Sequence, residues 1–138
     1  MMKTSWLSVA FATALCISAP MAVAQPVPAE TEVLQVVPGA AQILVKGKIK
    51  GYDVVEYIVS ARAGQTLSVE LKASLKSASF NITPGGEKTS IYNGSVNGNT
   101  YSEVLLQDGD YIIRIYMMRN DARRGKTARY ALSTSIKP

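Results

Sequence analysis

Apolar and polar residues alternate with a period of two through most of the chain after residue 31. Leu34 and Val36, then Ile43, Val45 and Ile49, sit at alternating positions, with Pro38-Gly39 marking a turn between the two groups. Val55, Tyr57 and Val59 alternate with Glu56, Ile58 and Ser60, and the run ends at Arg62-Ala63-Gly64-Gln65. Leu67, Val69 and Leu71 repeat the pattern, as do Phe80 and Ile82 up to Pro84-Gly85-Gly86. After Asp108-Gly109, a tight-turn dipeptide, Tyr111, Ile113, Ile115 and Met117 share one face of a strand. Tyr130, Leu132, Thr134 and Ile136 share a face of the last one. Alternation between Gly, Pro and Asn clusters is the mark of half-buried strands. It predicts an all-β protein, a single antiparallel β-sandwich of about seven to nine short strands. The expected core is Tyr57, Val59, Leu67, Val69, Leu71, Ile113, Ile115, Leu132 and Ile136.

The first 24 residues break this pattern. Lys3 precedes an uncharged apolar run, and Met21-Ala22-Val23-Ala24 supplies small residues before Gln25. This is a signal peptide with its cut expected after Ala24. The chain then divides into a leader at 1–24, a flexible segment at 25–30 with Pro26 and Pro28, and a sandwich domain at 31–138. The expected location is the periplasm, with no membrane partner once the leader is gone. Cys16, the single cysteine, leaves with the leader, so the domain has no disulfide and depends on its packed core.

Composition narrows the chemistry. The 138 residues include no histidine, which removes the commonest general base and metal ligand. Ser/His/Asp and Cys/His catalysis are excluded with it. Asp108 and Asp110 flank a turn glycine, a pattern of turn chemistry rather than of a calcium site. No cofactor, metal or catalytic residue is implied, and the protein is not expected to be an enzyme.

Charge singles out one segment. Of fifteen Lys and Arg residues, only Lys3 lies in the leader, and the ten acidic residues follow it. Residues 119–126, between the two clearest strands, read as the loop of a terminal hairpin. With Arg129 this loop gathers Arg119, Arg123, Arg124 and Lys126 against one acid, Asp121. Such a loop either solvates a sheet edge or enters an acidic cleft, where arginine forks bind carboxylates. Nucleic acid is not the expected partner. That partner needs a broad basic face with aromatic stacking, whereas the bases here are confined to this loop plus Lys46, Lys48 and Lys50, and the protein is exported.

The run from 110 to 137, with Arg-Asn-Asp-Ala-Arg ahead of Tyr130, resembles the periplasmic inhibitors of g-type lysozyme. So do Gly47 to Tyr57, "GKIKGYDVVEY", the Ala63-Gly64-Gln65 turn, the Leu67 to Leu71 strand and Gly109-Asp110-Tyr111. The resemblance implies a β-sandwich that blocks the lysozyme cleft, with g-type lysozyme as protein partner and Tyr52, Arg119 and Arg123 as the contacting residues. Asn120 and Asp121 are then expected to shape the loop, and Arg124, Lys126 and Arg129 to steer the encounter. Segment 77–99 departs from the family's pattern. The tyrosines and turns also look like the small β-sandwich domains appended to secreted peptidases. That likeness implies instead a non-catalytic envelope module binding glycan, peptide or another protein.

Overall fold

The computed structural model describes residues 30–34 and 42–138. The leader, the entry segment up to residue 29 and the turn at Pro38-Gly39 lie outside the described residues. Nine strands and two short helices follow one another: β1 (Glu30–Leu34), β2 (Ile43–Lys50), β3 (Val55–Ala61), β4 (Thr66–Ala73), β5 (Ala78–Pro84), β6 (Tyr92–Asn93), α1 (Gly94–Asn97), β7 (Thr100–Val104), β8 (Gly109–Met117), α2 (Arg119–Arg123) and β9 (Thr127–Lys137). They form two sheets, five-stranded in the order β1-β3-β8-β5-β6 and four-stranded in the order β2-β9-β4-β7.

The alternation along the chain is the reason for this architecture. In a strand, residues two apart face the same way, so each half-apolar strand has one face to bury. Two sheets laid face to face bury both apolar faces at once. All nine residues expected in the core are buried, alongside Phe80, Ile82 and Ile49. The two layers are also tied by polar atoms, since the buried hydroxyls of Tyr57 on β3 and Tyr130 on β9 hydrogen bond at 2.7 Å. Tyr130 has room because its register partner on β2 is Gly47.

Three expectations need correction. First, β8 and β9 do not form a hairpin. β8 pairs with β3 and β5 in one sheet, and β9 pairs with β2 and β4 in the other. Each of these strands is a central member of its sheet, so residues 118–126 cross from one layer to the other. Second, that crossing contains a helical turn, α2, rather than an irregular loop. Third, one pairing is not antiparallel: β1 runs parallel to β3, from Glu30↔Val55 to Leu34↔Val59. The other pairings among the described residues are antiparallel.

The divergent segment 77–99 supplies β5, β6 and α1. Asn93 caps α1, its side chain accepting the Ser95 amide at 3.1 Å. Phe80 stacks on Tyr92 with ring centroids 5.3 Å apart, and Tyr92 meets Tyr101 at a tilt with centroids 5.0 Å apart, along the side of the sandwich where β6 is the edge strand. The turn aspartates tie their turn to the end of β3 and the residues after it, 45 and 50 positions earlier in the chain. Asp108 accepts the Ala63 amide at 2.7 Å, and Asp110 accepts the Ser60 hydroxyl at 2.6 Å. No cluster suited to a metal ion is present among the described residues.

Candidate functional site

Three connections meet at one end of the sandwich. The first is the turn at residues 50–53, joining β2 to β3. The Asp53 amide donates to the Lys50 carbonyl at 3.0 Å, and the Asp53 carboxylate accepts the Lys50 amide at 3.2 Å. Gly51 has φ +60°, while no non-glycine residue among the described residues has positive φ. A glycine at the first central position suits a type II′ turn. Tyr52 takes the second central position and is left 66% exposed at the tip.

The second connection is residues 118–126. Met118 donates its amide to the Ser77 carbonyl at 2.8 Å, and α2 follows for one turn. The turn ends on Gly125 at φ +66°. The Gly125 amide bonds the Ala122 carbonyl at 3.0 Å and the Lys126 amide bonds the Asp121 carbonyl at 3.3 Å. These two bonds make a Schellman C-cap, which favours glycine at its left-handed position. Ala122 is buried beneath the turn, while Arg119 and Arg123 are exposed. Four residues apart on a helical turn, they lie on the same side, with Cβ atoms about 5–6 Å apart.

The third connection, residues 74–77, braces the second. Ser77 is buried, and its hydroxyl donates to the Asp121 carboxylate at 2.5 Å. Lys126 reaches the other carboxylate oxygen at 3.0 Å. The Ser77 bond and then the Lys126 bond hold the Asp121 carboxyl below its usual 3.8. Asp121 thus links the segment to Ser77 and to Lys126. The charge of Lys126 is neutralised within the loop.

One hydrogen bond joins the Tyr52 turn to the arginine segment: the Gly51 amide donates to the Lys126 carbonyl at 2.9 Å. A side chain at Gly51 would begin 3.5 Å from the Ala122 carbonyl and 3.9 Å from Cα of Gly125, so the two backbones are in contact. Tyr52, Arg119 and Arg123, 67 and more residues apart in sequence, thus share one exposed end, with Asn120 and Arg124 exposed on the same segment. Arg129 does not belong to it. Its backbone pairs with Ser74, and it stands opposite Lys48 on the outward face of the four-stranded sheet.

Sequence reasoning missed Ser77, Ala122 and the capping role of Gly125. Gly125, directly after a basic run that ends in Arg123-Arg124, is a helix-stop signal and would have disclosed α2. Ser77 carries no local signal, because its partner is 44 residues away.

Lowering the pH provides a check on this brace. A carboxyl with a depressed pKa stabilises the fold above its unfolded value and loses that contribution as pH falls through the folded one. NMR shifts of residues 119–126 should therefore hold steady down to about 3.8 and change below it. Ser77→Ala should weaken target binding by roughly 2–10-fold, the worth of one net hydrogen bond. Unchanged binding would show that the loop holds its shape without Ser77.

No protein-family profile matches the chain. It is 33% identical over 95 residues to the inhibitor of g-type lysozyme from Escherichia coli K12, a match spanning 66% of this chain and 69% of that protein. Among solved structures it resembles the periplasmic inhibitor of g-type lysozyme from Aeromonas hydrophila. The TM-score is 0.70 at 32% identity, over 78% of this chain and 96% of the other. A pre-peptidase C-terminal domain of a Bacillus anthracis collagenase shares the fold alone, with TM-score 0.59 at 16% identity over 82% of this chain and 100% of the other. With a third of the residues shared along most of the relative's length, and the same sandwich, the chain belongs to the family of g-type lysozyme inhibitors.

Proposed function

We propose that this protein is a periplasmic inhibitor of g-type lysozyme, acting by binding and not by catalysis. In this reading Tyr52, Arg119 and Arg123 enter the lysozyme cleft together. The observation that carries it is the Gly51–Lys126 hydrogen bond of 2.9 Å, which locks the tyrosine turn against the segment that presents both guanidinium groups. An aromatic anchor beside two planar cations is the type of set that dominates protein interfaces.

The chemistry suits the target. Glycosidic cleavage needs a carboxylic acid that protonates the leaving oxygen. A guanidinium beside that acid stabilises its ionised form and takes away the proton it must deliver. Tyr52 adds a flat apolar contact with one hydrogen-bonding end, and all three side chains fill space the glycan needs. The surface is preformed, since its backbone is held by capping bonds and by the Ser77–Asp121–Lys126 brace. The backbone therefore loses little ordering entropy on binding, and the remaining cost falls on the exposed side chains.

The test is a turbidity assay on permeabilised bacterial cells with g-type, c-type and i-type lysozymes. Clearing by the g-type enzyme should stop once inhibitor matches enzyme. Undiminished clearing by g-type enzymes overturns the proposal.

A further inference from the structure

The lysines of β2 take no part in the inhibitory end. Lys46, Lys48 and Lys50 are exposed on the outward side of the strand, while Ile49 is buried on the other. In register, Lys48 stands directly opposite Arg129, and Lys46 opposite Ala131, whose other neighbour is Lys72 of β4. Strand geometry spaces these bases about 7 Å along β2 and about 10 Å from β2 to β4. Like charges placed directly opposite weaken a sheet. The outward positions of β2, β9 and β4 hold one acid among the described residues, Glu70, 3.8 Å from Lys72. The fold thus maintains a field of cations in which Glu70, paired with Lys72, is the one acid on these outward positions.

The rest of the same face is lined with hydroxyls. Ser133 and Ser135 of β9 register with Glu70 and Ser68 of β4, and Ser68 registers with Ser102 of β7. The Ser68 and Ser102 hydroxyls are 2.9 Å apart. A shallow groove of ≈ 220 Å³ is lined here by Gln42, Ser68, Glu70, Thr100 and Ser102.

We infer that the outward face of the four-stranded sheet binds an acidic glycan, a polysaccharide chain bearing carboxylates. The ammonium groups of Lys46, Lys48 and Lys72 meet its carboxylates as separate point charges. The groove offers side-chain donors and acceptors to its sugar hydroxyls. A nucleic acid fits this face less well, because the aromatic that borders the groove, Tyr101, is buried and presents no open ring for base stacking. A lipid surface also fits less well. The exposed apolar residues there, Leu44 and Val104, are split between the two outer strands β2 and β7 and form no patch that could enter hydrocarbon.

The experiment is calorimetric titration of the protein with polygalacturonate, beside neutral dextran, polyglutamate of matched charge and phosphatidylglycerol vesicles. Polygalacturonate should bind, weakening as salt is raised. Dextran should not bind, and polyglutamate and vesicles should bind about tenfold more weakly or worse. The triple variant Lys46→Gln, Lys48→Gln, Lys72→Gln should lose polygalacturonate binding by about tenfold or more while its circular dichroism stays unchanged. Absence of polygalacturonate binding, equal binding to polyglutamate or to vesicles, or an unaffected triple variant would each overturn the inference. None of these readings involves lysozyme, so the outcome is independent of the inhibitory role. The triple variant should still block the lysozyme, and loss of both activities would overturn the assignment of a separate face.

Discussion

Replacing Arg119 and Arg123 together with alanine is expected to abolish inhibition of a g-type lysozyme while leaving the protein folded. Truncating one partner of a buried interfacial charge pair costs about 2–5 kcal/mol, a factor of roughly 30 to several thousand in affinity. Each single variant should fall in that range, and the double variant below detection. The fold should not suffer. Both side chains are exposed, and exposed substitutions usually change stability by less than about 0.5 kcal/mol. Alanine is also the best helix former, so α2 keeps its shape. Inhibition constants and a thermal melt on each variant are the measurements. A double variant that inhibits as well as the parent would remove these arginines from the interface.

Gly47→Val is expected to cost stability rather than inhibition chemistry. A Cβ at this position would begin 2.5 Å from Oη and 2.7 Å from Cζ of Tyr130. Tyr130 cannot yield freely, because it is 5% exposed and its hydroxyl bonds that of Tyr57 at 2.7 Å across the core. Overpacking, together with loss of a buried hydroxyl pair, amounts to about 2–5 kcal/mol. The melting temperature should drop by roughly 10–30 °C. An unchanged melt would mean that the ring has another place to go.

How far the sequence foretold all this depends on the range of each signal. Strand faces were legible because alternation is a local property. Tyr57, Leu67 and Ile113 point inward for the same reason that Glu56, Ser68 and Ile112 do not. Turns that need glycine were legible too, since Gly64 and Gly109 take positive φ within a few residues of the strands they join; the bond from Ala63 to Asp108, 45 residues on, was not. Sheet membership was not, because pairing partners leave no mark in a single chain. β8 and β9 are neighbours in sequence, yet they separate into different layers, and the basic segment between them read as a hairpin tip. α2 was hidden because one turn is too short to show a helical period. The meeting of Tyr52 with the arginines was legible only through the family resemblance. The bond that enforces it joins Gly51 to Lys126, and nothing near either residue announces the other.

The place of β9 between β2 and β4 governs when the proposed contact residues can come together. This strand follows the other eight in the chain, yet it fills the middle of a sheet, with partners drawn from β2, dozens of residues earlier. A growing chain can carry Tyr52, and later both arginines, without presenting them together. The Gly51–Lys126 and Tyr57–Tyr130 contacts both need the last part of the chain in place. Such non-local closure belongs to the slower class of folding, about milliseconds to seconds. In the proposed reading, a chain cut before β9 leaves a gap between β2 and β4 and is expected not to inhibit.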